Sequence, residues 1–460
     1  MHRKKILASL LALALLTAGA AFGQAADFTK YVAFGDSLTA GFSSGSINRN
    51  FQVNSYPALI YRQATGKTTG FEQPLVSAPG LPGILTLQRL APTPQIVPSA
   101  GSGQPTNLNL PRPYDNLAVP GADVHDVLAK LQSTSASDPT DLVLRRLGFT
   151  QLQQGLSLRP TFVTLWIGNN DALGAATSGI VNDQTLTPLA SFEADYRAIA
   201  NAIAASGAKM AIANIPNVTS IPFVTTLTRF IPNPATGQPA IINGQPVPLI
   251  GPGGQPVQAG DFVLLTASAA LAQGFGIPLA LGGNGQPLPD SVVLSAAEAA
   301  TIRDRVNGYN AVIRAVATEK NAAFVDANAV LSDVATRGIN IGGITFTGGF
   351  LSGGVFSYDG VHPTAFGYAY IANLFIAAIN AKFGNDIEPV NLYPFVFGTA
   401  TGASSLAASS SIGAESLVPF VYSDGARRNL LLTLNVPKWI VDGTQPPTTP
   451  RPRRPRGGNH

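Results

Sequence analysis

The sequence YVAFGDSLTAGFSSG, residues 31–45, decides how this chain folds. It opens with a run of strand-forming residues, 31–34, and breaks at once into Gly-Asp-Ser at 35–37. A short apolar run that ends in turn residues is typical of a buried strand of a parallel sheet. Two serines in the stretch compete as a nucleophile: Ser37, directly after the predicted strand, and Ser43, within a G-x-S-x-G pattern.

Strand and helix patterns alternate through the rest of the chain. The helical segments include 192–205, which stops at Gly207, a long one that begins with Ser295 and Glu298 at capping-box spacing, and one over 363–383 that begins with Pro363. Strands alternating with helices predict an α/β fold with a parallel sheet. Besides 31–34, the predicted strands are 117–119, Phe162–Ile167, Met210–Ala213 and Ala323–Val325.

The N-terminus has the pattern of a secretory signal peptide. Basic residues at 3–5 precede an apolar run at 6–16 and a small-residue stretch that ends near residue 26. An N-terminal membrane anchor is the alternative, although the run is short for a span of about 20 residues. We therefore expect a secreted or periplasmic protein with no transmembrane segment in the mature chain. The chain has no Cys, which excludes disulfides, a thiol nucleophile and thiolate metal sites.

The net charge of +4 arises at the chain ends. Seven basic residues lie in the leader and in the tail, and without them 22 basic residues face 25 acidic ones. A nucleic-acid-binding surface needs Lys and Arg clustered on the folded body, so no nucleic-acid partner is expected.

Segments rich in Gly and Pro interrupt the α/β alternation. One of them contains Asn243-Gly244, a strong hairpin signal. Near the C-terminus, 417–422 and 430–434 resemble strands, and the Pro/Arg tail is expected to be disordered. The predicted organisation is a signal peptide at 1–26, an α/β domain at 27–384 with insertions at about 66–113 and 220–290, a C-terminal extension of unknown role at 385–443, and a tail at 444–460.

Three of the predicted strands are followed by residues that suit catalysis. Ser37 follows the first strand, Gly121 follows 117–119, and Asn170 follows the strand that ends at Ile167. Ligands of open α/β sheets bind beyond the carboxyl ends of the strands, so these three residues should face one crevice.

A serine nucleophile needs a base, and histidine is the usual one. Of the four histidines, His2 and His460 lie at the chain ends, which leaves His125 and His362. Asp359 stands three residues before His362 and can turn back to hold its Nδ1–H, which fixes the tautomer that accepts a serine proton at Nε2. His125 lies in an early helical turn, where a solvated surface histidine is the simpler interpretation. We therefore assign His362 as the base.

These segments together resemble the four sequence blocks of the SGNH hydrolases, the GDSL esterase/lipase family. One such block alone arises by chance, whereas four blocks in the right order are specific. The resemblance covers about 27–65, 114–220 and 291–384. The blocks are Gly35-Asp36-Ser37-Leu38, Asn116 to Ala122 with Gly121, Gly168-Asn169-Asn170-Asp171, and Asp359-Gly360-Val361-His362-Pro363.

The resemblance implies a flavodoxin-like three-layer α/β/α sandwich with a five-stranded parallel sheet. It implies an esterase or lipase that uses a Ser-His-Asp mechanism and needs no metal or cofactor. The catalytic residues would be Ser37, His362 and Asp359. The oxyanion hole would be formed by the backbone N–H groups of Ser37 and Gly121 and by the side-chain amide of Asn170.

Three other assignments fit the sequence less well. No strand stands directly before the pattern around Ser43, as the nucleophile elbow of α/β-hydrolases requires, so we place Ser43 in a loop near the mouth of the site. A metal hydrolase would take Asp36, Asp171, Asp359 and His362 as ligands, but it would need more histidines or a tighter carboxylate cluster. A catalytically silent surface or glycan-binding protein is the alternative that is not an enzyme.

The sequence leaves more than one class of ester open as the substrate. Small-molecule or lipid carboxylic esters come first, and an O-acetyl ester of a polysaccharide is the alternative. The insertions carry apolar side chains that could form a lid or an acyl-binding wall, or could simply pack onto the body; they are Phe223, Phe230, Ile231, Phe262, Leu264 and Leu265. The basic tail suggests contact with an anionic envelope surface.

Overall fold

The computed structural model describes residues 24–89, 94–233, 237–397, 421–434 and 436–444. Most of the predicted signal peptide, the predicted strand residues 417–420 and nearly all of the basic tail lie outside the described residues. The domain boundaries proposed from the sequence stay predictions.

The described residues form thirteen strands and sixteen α-helices, numbered here along the chain. The strands are β1 (Tyr31–Gly35), β2 (Leu85–Arg89), β3 (Gln95–Pro98), β4 (Phe162–Trp166), β5 (Lys209–Ala213), β6 (Ile241–Ile242), β7 (Gln245–Pro246), β8 (Phe262–Val263), β9 (Val293–Leu294), β10 (Ala323–Val325), β11 (Ile339–Ile341), β12 (Ile344–Phe346) and β13 (Val421–Tyr422). The helices are α1 (Ser37–Ala40), α2 (Arg49–Gln52), α3 (Tyr56–Thr65), α4 (Val124–Ala129), α5 (Thr140–Leu144), α6 (Gln151–Ser157), α7 (Asn170–Ser178), α8 (Leu189–Ala205), α9 (Pro222–Thr225), α10 (Ala267–Ala272), α11 (Ala296–Glu319), α12 (Ala327–Thr336), α13 (Ala365–Phe383), α14 (Tyr393–Val396), α15 (Asp424–Thr433) and α16 (Lys438–Val441).

The central sheet is parallel, with the strand order β1-β4-β5-β10. Side chains of one strand alternate between two hydrophobic cores: Val32 and Phe34 pack with helices α8 and α11, whereas Tyr31 and Ala33 pack with α3 and α13. Because both faces are covered by helices, the strands read as unbroken apolar runs. The three-layer α/β/α architecture is confirmed.

The predicted fifth strand at 117–119 does not form as a full strand. Asn116 makes a single parallel bridge to Ala33, and the N–H groups of Leu117 and Val119 donate to β1 carbonyls. The run then meets Pro120, which has no N–H to extend the ladder. The segment therefore lies along the edge of a four-stranded sheet, and the five-stranded prediction is corrected to that extent.

Helix ends follow local sequence signals. Ser295 and Glu298 form the predicted capping box at the start of α11. Helix α13 begins at Ala365 and not at Pro363, because the Thr364 side chain accepts the N–H of Gly367 and makes Thr364 the N-cap. Gly384 ends this helix in a left-handed conformation.

The two insertions are ordered where the structure describes them. In the first, β2 and β3 form an antiparallel pair, and β13 from the C-terminal extension adds to β3 in parallel. In the second, the predicted hairpin forms as β6 and β7 around Asn243-Gly244. Phe223, Leu264 and Leu265 are fully buried in the main core, so they pack the second insertion onto the body.

The prediction of a strand at 430–434 is wrong. These residues end helix α15, whose N-cap is Ser423. Leu430, Leu431 and Leu434 are buried, and their spacing matches one face of a helix. A short apolar run does not by itself distinguish a strand from a buried helical turn. Among the described residues, no helix is long and apolar enough to span a bilayer.

The first residue of the GDSL block is fixed by packing. A Cβ added at Gly35 would lie 2.1 Å from Thr39 Oγ1 and 2.5 Å from the Trp166 carbonyl oxygen, whereas at Gly425 it would meet nothing within 4 Å. We predict that Gly35→Ala lowers the free energy of unfolding by about 3 kcal/mol, the cost of overpacking a tight site, and that Gly425→Ala lowers it little or not at all. Urea unfolding of both variants checks this, and an equal effect of the two would contradict it.

Candidate active site

Ser37 lies where β1 turns into α1. Asp36 is the N-cap of this helix, and its Oδ1 accepts the N–H of Leu38 at 3.0 Å. Gly41 ends the helix in a left-handed conformation, with φ 77°. The short helix therefore places Ser37 at the carboxyl edge of the sheet. Only 5% of the Ser37 surface is exposed.

Ser37, His362 and Asp359 form one chain of hydrogen bonds. The distance from Ser37 Oγ to His362 Nε2 is 2.8 Å, and the distance from His362 Nδ1 to Asp359 Oδ2 is 2.9 Å. His362 and Asp359 are buried, and the Phe42 ring packs 4.8 Å from the imidazole, centroid to centroid. The structure thus brings together the three residues that the sequence singled out, at distances suited to proton transfer.

Asp359 is held by several donors in its own turn. Its Oδ1 accepts the N–H groups of Val361 at 2.9 Å and His362 at 2.8 Å, and the hydroxyl of Ser357 at 3.1 Å. Burial alone would raise the pKa of this carboxyl, but the neighbouring His362 and the backbone donors bring it below its ordinary value. Asp359 is therefore stabilised as a carboxylate that can orient the imidazole.

The rival serine motif supports this acid. The N–H of Gly45 donates to Asp359 Oδ2 at 2.8 Å, and the N–H of Ser44 donates to Ser357 Oγ at 2.8 Å. Ser43 Oγ donates to the carbonyl of Pro363 at 2.9 Å and does not reach His362. Sequence reasoning missed this supporting role, because the partners are more than 300 residues apart and the contacts use mainly backbone groups.

Gly121 and Asn170 lie on two loops that a hydrogen bond from Asn170 to Ala122 holds together. Gly121 has a left-handed backbone with φ 83°, which favours glycine. Asn170 is the first residue of α7, and its Nδ2 donates to the carbonyl of Ala122 at 2.9 Å. Both residues line a cleft of about 2000 Å³. Because an amide carries two N–H bonds, the bond to Ala122 orients the second one.

Asp36 and Asn169 link the first and third blocks. Asn169 Nδ2 donates to Asp36 Oδ2 at 2.8 Å. Burial raises the pKa of Asp36 to about 6, and the hydrogen bonds from Asn169 and Leu38 offset only part of that effect. No sequence pattern predicts this pairing, although both residues lie in the blocks.

The remaining candidate residues, Asp171 and His125, form contacts with other helices. Asp171 Oδ2 accepts the N–H of Val124 at 3.0 Å, so it ties α7 to α4. Burial and the nearby Asp123 raise the pKa of Asp171. His125 pairs with Asp195 on α8 at 3.1 Å. Within the described ranges, no three His, Asp or Glu residues are grouped as metal ligands would be.

A small apolar pocket adjoins the hydrogen-bonded chain. Its volume is about 110 Å³, and Ser37 and His362 lie on its wall. Nearly all of the rest of the wall is hydrocarbon, with Trp166 from β4, Val330 from α12 and Leu374 from α13 among its residues. Asn169 lines this pocket and the next residue, Asn170, lines the larger cleft with Gly121, so adjacent residues stand on the walls of two compartments, the apolar pocket and the cleft.

Comparison with protein families agrees with the block pattern. A model of the family described as GDSL-like lipase/acylhydrolase matches residues 31–375. This range covers most of the chain and includes every residue of the hydrogen-bonded chain at Ser37. No match was found among curated proteins.

Several solved structures resemble the chain weakly. One is an acetylxylan esterase from Geobacillus stearothermophilus, 13% identical, with a TM-score of 0.34 over 78% of this chain and 95% of that one. Another is an α/β hydrolase from the metagenome of Lake Arreo, Spain, 14% identical, with a TM-score of 0.36 over 79% of this chain and 99% of that one. Likeness at this level carries no information on substrate.

The raised pKa of Asp36 predicts a pH-dependent stability. Between the ordinary carboxyl pKa near 4 and the folded value of about 6, the folded state holds this proton more tightly than the unfolded chain does, so stability falls as pH rises through that window. Asp36→Asn removes this titration. We predict that the free energy of unfolding of the variant, relative to wild type, rises by on the order of 3 kcal/mol from pH 4 to pH 7. Urea unfolding at both pH values measures it, and a difference that does not change with pH would contradict the assignment.

Proposed function

We propose that this chain, which belongs to the GDSL-like lipase/acylhydrolase family, hydrolyses carboxylic esters through a covalent acyl-enzyme on Ser37. Membership makes it an ester hydrolase; the mechanism is our inference. The observation that carries it is the continuous chain of hydrogen bonds from Ser37 through His362 to Asp359, at 2.8 and 2.9 Å.

In the first half of the reaction, Ser37 Oγ attacks the ester carbonyl carbon while His362 Nε2 takes the hydroxyl proton. The carbonyl π pair moves onto oxygen and gives a tetrahedral oxyanion. When the oxyanion collapses, the bond to the alcohol oxygen breaks, and His362 gives its proton to the leaving alcohol. The buried carboxylate of Asp359 stabilises the imidazolium that exists between these two transfers.

The developing oxyanion needs hydrogen-bond donors. The second N–H of the Asn170 amide and the backbone N–H groups of Ser37 and Gly121 are the donors we assign. Each such donor contributes on the order of 3–4 kcal/mol to the transition state, because it faces charge that the ground state lacks. The left-handed backbone of Gly121 supports the assignment, since it lets the main chain approach a substrate without a Cβ.

The second half of the reaction returns the enzyme to its starting state. Water takes the place of the alcohol, and His362 Nε2 removes one of its protons as the water oxygen attacks the acyl carbon. Collapse of the second oxyanion breaks the bond to Ser37 Oγ, which takes the proton back from His362. The products are one carboxylic acid and one alcohol per ester.

The apolar pocket at Ser37 favours esters with one short apolar half. An apolar cavity of about 150 Å³ holds a six-carbon ring, so 110 Å³ fits roughly four carbon atoms. Simple short-chain esters therefore come ahead of long-chain lipids. An acetyl ester of a carbohydrate also fits, because the acetyl group is smaller than the pocket and the large cleft offers room for the alcohol.

We also propose that the protein is exported. The basic, apolar and small-residue order of residues 1–26 supports this proposal. Contact of the basic tail with an anionic envelope surface stays a separate proposal. Deletion of residues 445–460 tests it: unchanged attachment to the cell envelope would contradict it.

The two serines of the opening stretch give a matched test. We predict that Ser37→Ala loses at least 10³-fold in kcat on p-nitrophenyl esters, because no nucleophile remains. Ser43→Ala loses only a hydrogen bond to Pro363 and should keep activity within about tenfold.

Across acyl chains from acetyl to palmitoyl, wild-type kcat/KM should peak near butanoyl.

Two other outcomes of this test would contradict the proposal. If Ser37→Ala keeps full activity, the nucleophile is wrong. If wild type cleaves no ester of the series, the chain is a silent member of its family or acts only on an ester outside the series, and the short-ester proposal fails.

Removal of the side-chain oxyanion donor gives a graded effect. We predict that Asn170→Ala lowers kcat by about 10² to 10³-fold with little change in KM, since the lost bond strengthens only in the transition state. Asn340→Ala, at the exposed residue of strand β11, is the control and should behave as wild type. Steady-state kinetics on one ester measure both variants. A rise in KM at unchanged kcat would show that Asn170 only binds substrate.

A further inference from the structure

The described part of the C-terminal extension, residues 421–434 and 436–444, forms part of the large cleft. Nine of the residues that line this cleft belong to it, and Gly121 and Asn170 line the same cleft. The family match ends at residue 375, so this wall comes from a part of the chain that the family pattern does not cover. The cleft lining from this segment includes Leu432, Val436 and Trp439.

This segment is anchored to the body at the acid loop. Tyr422 in β13 is fully buried, and its Oη donates to the carbonyl of Tyr358 at 2.6 Å, next to Asp359 in the chain. The Tyr422 N–H donates to Ser268 Oγ of the second insertion at 3.4 Å, and β13 pairs with β3 of the first. One strand therefore joins both insertions and the loop that carries Asp359.

The helices that follow are part of the main core. Leu430 and Leu434 are 1% exposed and pack in the same cluster as the central sheet, and Val436 and Ile440 pack with them. Burial of four such side chains fixes α15 and α16 against the body. Trp439 is half-buried against this cluster and still lines the cleft. The wall is thus packed against the main core and carries one aromatic side chain.

The pocket at Ser37 fits roughly four carbon atoms, so it has no room for a larger second half of an ester. The cleft that Gly121 and Asn170 line is the space we assign to that half. An indole gives a broad flat contact area at low entropic cost. We propose that residues 421–434 and 436–444 are the specificity element of this enzyme, and that Trp439 contacts a ring with a flat apolar face in the larger half of the ester. This inference rests on the proposed esterase function.

The test compares one acyl group on alcohols of different size. Methyl butanoate has no ring, whereas 2-naphthyl butanoate and 6-O-butanoylglucose carry an aromatic ring and a sugar ring. Release of butanoic acid is followed by pH-stat titration for wild type, Trp439→Ala and Trp439→Phe. Tyr393→Ala is the control, because Tyr393 is a 54% exposed aromatic residue of the C-terminal region that lines neither compartment.

We expect Trp439→Ala to lower kcat/KM on at least one ring ester by on the order of tenfold or more, mainly through KM, with methyl butanoate changed less than twofold. Trp439→Phe should recover most of the loss, and Tyr393→Ala should match wild type. The more affected ring ester identifies the ring that the wall prefers.

Two results would overturn the inference while the esterase function stands: an unchanged ratio between ring and methyl esters in Trp439→Ala, or an equal loss on all three esters, which marks a purely structural role. Hydrolysis of none of the esters by wild type would overturn the proposed function, and this inference with it.

Discussion

The site depends on keeping one buried carboxylate ionised. Asp359 has no exposed surface, and a buried charge costs several kcal/mol unless donors replace its water. The donors are Ser357, Val361, both the backbone and the ring of His362, and the backbone N–H of Gly45. The loop that carries Gly45 and the loop that carries Asp359 must therefore pack together. This packing places His362 against Ser37.

The parallel sheet positions the other loops of the site. Parallel strands end at a common edge, so Ser37, after β1, and Asn170, after β4, are brought together by the register of neighbouring strands. Buried polar links then tie the loops to one another: Asp36 to Asn169, Asp171 to Val124, and Asn170 to Ala122. These links fix the relative positions of the loops and leave the ester-binding walls to other segments.

The features that the sequence predicted correctly are those that depend on neighbouring residues in the chain. The buried strands, the capping box at Ser295 and the hairpin at Asn243-Gly244 each follow from a few adjacent residues. The grouping of Ser37, His362 and Asp359 followed from the order of the blocks. The backbone bond from Gly45 to Asp359 was beyond prediction, because backbone donors leave no trace in side-chain patterns.

Two errors have the same physical origin. The run at 117–119 is apolar enough for a strand, but Pro120 stops the ladder, and 430–434 is apolar enough for a strand, but the Ser423 cap commits it to a helix. In both cases a neighbouring residue decides the outcome. The contact of β13 with β3 joins segments about 325 residues apart, and no local pattern encodes such a pairing.

Covalent trapping shows directly which serine is the nucleophile. A fluorophosphonate should react once with wild-type protein, and fragment-ion mass spectrometry of the peptide that holds both Ser37 and Ser43 locates the adduct. Our account predicts a phosphonyl group on Ser37 Oγ, with labelling abolished in His362→Ala because the serine loses its base. A label on Ser43, or labelling of Ser37 that persists without His362, would contradict it.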